Sequence, residues 1–205
     1  MNSHAQSPWF ARWLNPGNSL GDDMTLYTPR LLMRLPRYRD AKEFHAYACD
    51  PLVARYVFWD AHTSLRQTRS TLRGIIARNR LANLTTFAII RQSDSRMVGT
   101  IGLVWREMET NNAEVGFSIA HECWGQGLMT EALEAFLYYA FVQMGLSRVE
   151  AQHDLRNPAS GRVMQKAGMR LEGRMRERLY YKGERADAAL YAALREEWLN
   201  SHQAL

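Results

Sequence analysis

The chain is poor in cysteine, with Cys49 and Cys123 its two thiols. Two cysteines cannot build a disulfide framework and are too few for a thiolate zinc site. Free thiols point to a cytoplasmic protein. No uninterrupted apolar run is long enough to cross a bilayer. The first residues lack the basic and continuously apolar regions of a secretory signal. Neither G-x-G-x-x-G nor G-x-x-x-x-G-K-[ST] occurs. Their absence argues against a Rossmann dinucleotide enzyme and a P-loop ATPase. No internal repeat and no second domain is apparent. Lysine is scarce, being confined to Lys42, Lys166 and Lys182 among 26 basic residues. Genome composition produces that bias as readily as function does.

What is present is a soluble globular composition, 46% hydrophobic and 23% charged over 205 residues. This length suits one domain with a real core. The net charge of +5 attracts acidic partners in general. No basic block interleaved with stacking aromatics accompanies it, so nucleic acid is not the expected partner.

Residues 1–24 read as a tail rich in turn formers from Pro16 to Gly21. Trp9, Phe10, Trp13 and Leu14 have helical spacing within it and could dock on the domain or a partner. A domain over 25–199 and a short tail at 200–205 follow. Arg30 to Leu35 suggests a strand, and Asp40 to Cys49 a short amphipathic helix. Pro51 suits a first helical position, and Ser64 can cap a helix running to about Asn83. Thr85–Arg91 and Met97–Trp105 form a hairpin pattern, and Ala113–Ile119 a third strand. A long helix is expected from Leu128 to about Met144, stopped by Gly145. Arg148–His153 reads as a strand and Asn157–Ala167 as a helix ended by Gly168. Met169–Tyr181 and Ala186–Leu194 can pair across Lys182–Glu184, although the second run is alanine-rich and locally favours helix.

The informative stretch is Ala113-Glu114-Val115-Gly116-Phe117-Ser118-Ile119 followed by Trp124-Gly125-Gln126-Gly127-Leu128-Met129-Thr130-Glu131-Ala132. It puts a glycine turn between a strand and a helix N-terminus. Backbone N–H groups converge on an anion there, and the helix dipole favours it. Pyrophosphate is the expected anion. Alone, Gly-x-Gly is a weak signal.

Taken with its neighbours, this stretch resembles the GNAT superfamily of N-acetyltransferases, in particular its ribosomal-protein N-terminal (RimJ/RimL-like) branch. Thr28-Pro29-Arg30-Leu31-Leu32-Met33-Arg34 is similar to that branch's opening strand. Trp124 to Ala132 is similar to its acetyl-CoA pyrophosphate loop. Asn157-Pro-Ala-Ser160 and Lys166-Ala-Gly168-Met169 are similar to the following helix and strand. The resemblance covers about Met24 to Trp198. One position departs from it. Many members carry Arg or Gln three residues before the first loop glycine, and this chain carries Glu122.

The resemblance implies an α/β fold: a mixed, mostly antiparallel central sheet flanked by helices, with acetyl-CoA in the splay between two central strands. It assigns the acetyl-donor site to Phe117, Ser118 and Ile119, to Trp124, Gly125, Gln126, Gly127, Leu128, Met129 and Thr130, and to Asn157 and Ser160. It implies direct acetyl transfer to a primary amine, a protein N-terminal α-amine or a small-molecule amine. Glu114 occupies the position that often serves as base; otherwise it is an exposed strand residue or an arginine's ion-pair partner. Asn157 would orient the donor and Ser160 would meet its sulfur, or Asn157 would cap its helix and Ser160 merely fit the first turn. Tyr180 and Tyr181 are alternative proton donors. A non-catalytic acyl-CoA-binding protein is the rival reading. No metal is expected, because His121 and Cys123 lack a second ligand pair. His153 reads as a packed residue and Trp124 as packing under the loop. Arg170, Arg174, Arg176 and Arg178 alternate, as one solvated strand face or an attractor of an acidic acceptor. No membrane partner is expected, and the assembly is a monomer or homodimer.

Overall fold

A computed structural model describes residues 24–80 and 84–203. Residues 1–23, with the aromatic cluster of the expected tail, lie outside it. Eight strands form one sheet: β1 (Thr25–Tyr27), β2 (Leu31–Arg34), β3 (Thr86–Arg91), β4 (Arg96–Glu107), β5 (Asn112–Ile119), β6 (Arg148–Asp154), β7 (Arg170–Tyr181) and β8 (Glu184–Leu194). Their order is β1-β2-β3-β4-β5-β6-β8-β7. Every pairing is antiparallel except β5 with β6. The helices are α1 (Ala41–Ala48), α2 (Pro51–Ala54), α3 (Leu65–Arg80), α4 (Leu128–Tyr138), α5 (Pro158–Lys166) and α6 (Arg195–Gln203).

Strand alternation sorts the helices onto two faces. Phe87 of β3 turns its ring toward Phe136 and toward Tyr139 just beyond α4. The adjacent Thr86 lines a cleft shared with α3. Leu72, Ile75 and Ile76 bury one stripe of α3, and α1 packs between that helix and β4. Pro51 takes the first helical position as read, with Asp50 ahead of it accepting from Leu52 N at 2.8 Å, and Ser64 caps α3 as read, its Oγ accepting from Gln67 N at 3.2 Å.

The structure differs from expectation in three places. β1 is an additional strand, whose one buried side chain, Leu26, is too little periodicity to recognise. The helix after Gly127 widens into a π turn over Tyr139–Gln143, where Met144 N reaches Tyr139 O at 3.1 Å. Alanine-rich β8 is a strand as expected, because β6 and β7 pair with both its edges and override its local helix preference. Finally, α6 continues beyond position 199, anchored by buried Trp198, whose Nε1 donates to Ala167 O at 2.9 Å. Gly168 makes that anchor possible. Its φ is +87°, and a Cβ there would lie 3.1 Å from the Trp198 ring.

Candidate active site

The parallel pair is where the sheet opens. β5 and β6 pair at Asn112↔Arg148, Ala113↔Val149 and Glu114↔Glu150, and then separate. β5 continues to Ile119 bonded to β4 alone. One backbone edge of Val115–Ile119 is therefore free to pair with an extended ligand. A cleft of about 760 Å³ opens there, lined by Glu114, Phe117, Ser118, Asn157 and Ser160 among others.

The glycine loop closes the end of β5. Gly125 and Gly127 have φ of +74° and +75°, the left-handed region that favours glycine. A Cβ at Gly125 would meet nothing within 4 Å, so open space faces it. The first backbone bond of the helix is Glu131 N to Gly127 O at 3.1 Å. The N–H groups of Leu128, Met129 and Thr130 consequently have no intrahelical acceptor. Three carbonyls at the loop are engaged by side-chain donors. Trp124 Nε1 donates to Ile119 O at 3.1 Å, Gln126 Nε2 to Glu122 O at 2.7 Å, and Arg30 Nη1 to Gln126 O at 2.9 Å. Arg30 Nε also pairs with Glu131 at 2.6 Å, and Thr28 Oγ1 donates to the other Glu131 oxygen at 2.5 Å. Trp124 is not packed beneath the loop: its residue is 47% exposed and its ring tilts onto His121. Glu122 turns outward to Arg91 at 3.3 Å and Arg96 at 3.4 Å.

Glu114 sits where the strands part. It is 8% exposed, neither a surface residue nor an arginine's partner. Trp105 Nε1 donates to Oε2 at 2.7 Å, and Gln152 Nε2 to Oε1 at 3.0 Å. A bulge at Val104 puts Trp105 opposite Glu114. Gln152 reaches across from β6, one same-face position beyond the last backbone pair. Its buried Oε1 has no partner among the described residues.

Asn157 precedes Pro158 at the start of α5, but its side chain makes no capping bond. It and half-buried Ser160 are both free to face the cleft. His153 packs beside them under Gly161, where a Cβ would come within 2.6 Å of Nε2, and its Nδ1 lies 2.8 Å from Asp154 O. Tyr180 is 66% exposed and away from the cleft. Tyr181 lines the cleft and donates to Asp154 at 2.5 Å. Burial, then that carboxylate, push its phenol up to about 12, so it holds its proton. Burial also raises the Cys123 thiol and disfavours a nucleophilic thiolate. No cluster of three metal-ligating side chains occurs among the described residues. The four arginines of β7 are exposed but do not line the cleft, and bulges at Leu171/Gly173 and Met175/Leu179 interrupt their alternation.

Tyr56, Phe58, Trp59, His62 and α3 form the remaining wall of the cleft. Burial, and secondarily His45, lower the His62 value and keep its imidazole neutral. Sequence reasoning missed Arg30, Trp105 and Gln152 as site residues. Only Arg30 lay within a recognised motif.

A sheet opened between parallel strands, with a glycine loop leading into a helix N-terminus at one end and a buried carboxylate where the strands part, is a frame that suits a group-transfer enzyme. The model of the GNAT acetyltransferase domain matches residues 30–170, and the chain belongs to that family. It is an acetyltransferase of the N-acetyl type. An uncharacterized N-acetyltransferase of Bacillus licheniformis is 28% identical over 174 residues, covering 85% of this chain and 98% of that protein. A GNAT-family acetyltransferase from Bacillus anthracis is 28% identical with a TM-score of 0.76, covering 84% of this chain and 99% of that one. The ribosomal α-N-protein acetyltransferase RimL, solved with coenzyme A, shares the fold at 22% identity and a TM-score of 0.74, covering 82% and 95%. No helix among the described residues is long and apolar enough to cross a membrane.

Proposed function

We propose that the chain acetylates the α-amine of a polypeptide, using acetyl-CoA as donor. The observation that carries this reading is the placement of Glu114, a buried carboxylate at the point of splay, on the same cleft as Ser160 and Asn157. The residues present fit the donor. The N–H groups of Leu128, Met129 and Thr130, which lack an intrahelical acceptor, suit a pyrophosphate. The free edge of Phe117, Ser118 and Ile119 suits an extended amide chain, as in strand addition. RimL, which holds coenzyme A and acts on a protein α-amine, shares this architecture.

Bound acetyl-CoA supplies the acetyl thioester, whose C–S bond breaks as the amine's C–N bond forms. Glu114 takes the proton released by the amine, directly or through one water. Asn157 orients the donor. Ser160 gives its hydroxyl proton, or a hydrogen bond, to the departing sulfur and regains it from solvent. Trp105 and Gln152 hold the Glu114 carboxylate in place. Acetyl-CoA and a mass-spectrometric panel of peptides and small amines test the reading. It expects acetylation at peptide α-amines. Turnover confined to small amines, or none with either class, overturns it.

A further inference from the structure

α3 forms one wall of the cleft and carries Arg66, Arg69, Arg73, Arg78 and Arg80 with no Asp or Glu. Elsewhere Arg34, Arg91, Arg148 and Arg156 each hold a carboxylate within 3 Å. Among the described residues, none of the α3 arginines has such a partner. All five are solvent-exposed. Arg78 lines the cleft on the same helical face as Gln67, Thr71 and Gly74.

Gly74 is the unexpected member of that face. Glycine in a helix interior is less favourable than alanine. A Cβ at Gly74 would meet nothing within 4 Å, and its φ is not in the left-handed region. Neither packing nor backbone geometry calls for glycine, so what it leaves open is the cleft in front of it. No carboxylate of the described residues pairs with Arg78. Asp154 is held by Arg156 and Tyr181, and Asp60 lies 3.8 Å from Lys182. Glu114 holds two neutral donors and faces the amine, and His62 is neutral. Arg78 is left as the cleft's arginine without an anion.

We infer that α3 selects the acceptor: a polypeptide with Asp or Glu within the first few residues after its N-terminal amine. The acceptor backbone lies against Gly74, Arg78 binds the acidic side chain, and the outer arginines steer acidic chains toward the cleft. This rests on the α-amine reading above.

The test uses peptides with one N-terminal residue and Glu, Gln or Lys at positions two to five. Binding is measured by calorimetry on the CoA-loaded protein, and kcat and KM on the same peptides. The Glu set should bind at least about tenfold more tightly than the Gln set. Arg78→Ala should abolish that preference through KM, and Arg78→Lys should restore part of it. Gly74→Ala should raise Tm by about 2–4 °C while raising KM for the Glu peptides. Equal binding of all three sets, a preference that survives Arg78→Ala, or an unchanged KM in Gly74→Ala overturns the inference. Acid-selective binding without acetylation supports this surface and overturns the transfer reaction instead.

Discussion

Replacing Glu114 by glutamine removes the proposed base, and the structure sets what else it removes. Two donors face the carboxylate, from Trp105 at 2.7 Å and Gln152 at 3.0 Å. A glutamine offers one oxygen and one NH2, so one of these contacts becomes donor against donor. Gln152 can relieve it by turning its unpartnered Oε1 toward the new NH2. Its own NH2 then takes the buried, unpaired place. One unsatisfied group costs about 1–3 kcal/mol, each kcal/mol lowering Tm by about 2–4 °C. Loss of a general base costs about 10²–10⁴ in kcat, or ~2.7–5.4 kcal/mol of barrier. Following release of the CoA thiol against pH on folded Glu114→Gln protein separates the two effects. At pH 7 an α-amine of pKa ~8 is about one-tenth neutral, and a lysine of ~10.4 about one part in 2,500. High pH should therefore recover no more than about tenfold with an α-amine acceptor, and far more with a lysine. Wild-type kcat at every pH would remove Glu114 from the mechanism. A recovery well above tenfold with the physiological acceptor would refute the α-amine assignment.

Gly125→Asp should fold, because aspartate tolerates the left-handed region and its Cβ meets open space. It should abolish the stabilisation that acetyl-CoA gives the wild type, about 2.7 kcal/mol at 100 times Kd; unchanged calorimetric affinity would place the donor elsewhere. Ser160→Ala should lower turnover more than CoA affinity and leave Tm nearly unchanged, since the side chain makes no hydrogen bond among the described residues. Normal turnover per folded molecule would leave Ser160 no part in sulfur protonation. Burial alone would raise the Asp154 carboxyl, but hydrogen bonds from Arg156 and Tyr181 together outweigh it and hold the group below its ordinary value. That contribution to stability is complete above the unfolded value of ~3.9 and is lost as pH falls through the lower folded value. Asp154→Asn should flatten Tm against pH on that acid limb, and an unaltered limb would refute the assignment.

Local chemistry made much of this molecule legible. Asp50 before Pro51, Ser64 at the head of α3 and the glycines at 125, 127, 145 and 168 each act through their own backbone neighbourhood. Glu114, Asn157 and Ser160 were reached through motifs, and the fold brings all three to one cleft. What escaped depends on register. Trp105 reaches Glu114 because a bulge at Val104 shifts the β4–β5 pairing by one residue, and nothing in Leu103-Val104-Trp105 announces a bulge. Gln152 becomes a partner because β5 and β6 pair in parallel with Glu114 beside Glu150, a register set by the intervening helix. The β7 arginines lost their regular alternation for the same reason: bulges changed the period. β8, by contrast, was legible as a strand despite its local helix preference, and pairing with β6 and β7 on both edges holds it so.

The same non-local logic settles what Glu122 does to the loop. A carboxylate there would repel a pyrophosphate if its charge faced inward. It instead lies between Arg91 and Arg96, about half exposed, where its charge is compensated and solvent-screened. A second acid, Glu131 in the first turn of α4, could occupy the helix's positive end itself. Arg30 and Thr28 bind both its oxygens, and Arg30 also takes the Gln126 carbonyl. The turn between β1 and β2, about a hundred residues away in sequence, thus draws acid and carbonyl off the loop. The Ile119 and Glu122 carbonyls are also engaged, while the N–H groups of Leu128, Met129 and Thr130 precede the first intrahelical bond and have no acceptor within the helix. The proposed donor site therefore does not call for a basic residue at position 122, because three carbonyls that would repel an anion are held by side-chain donors.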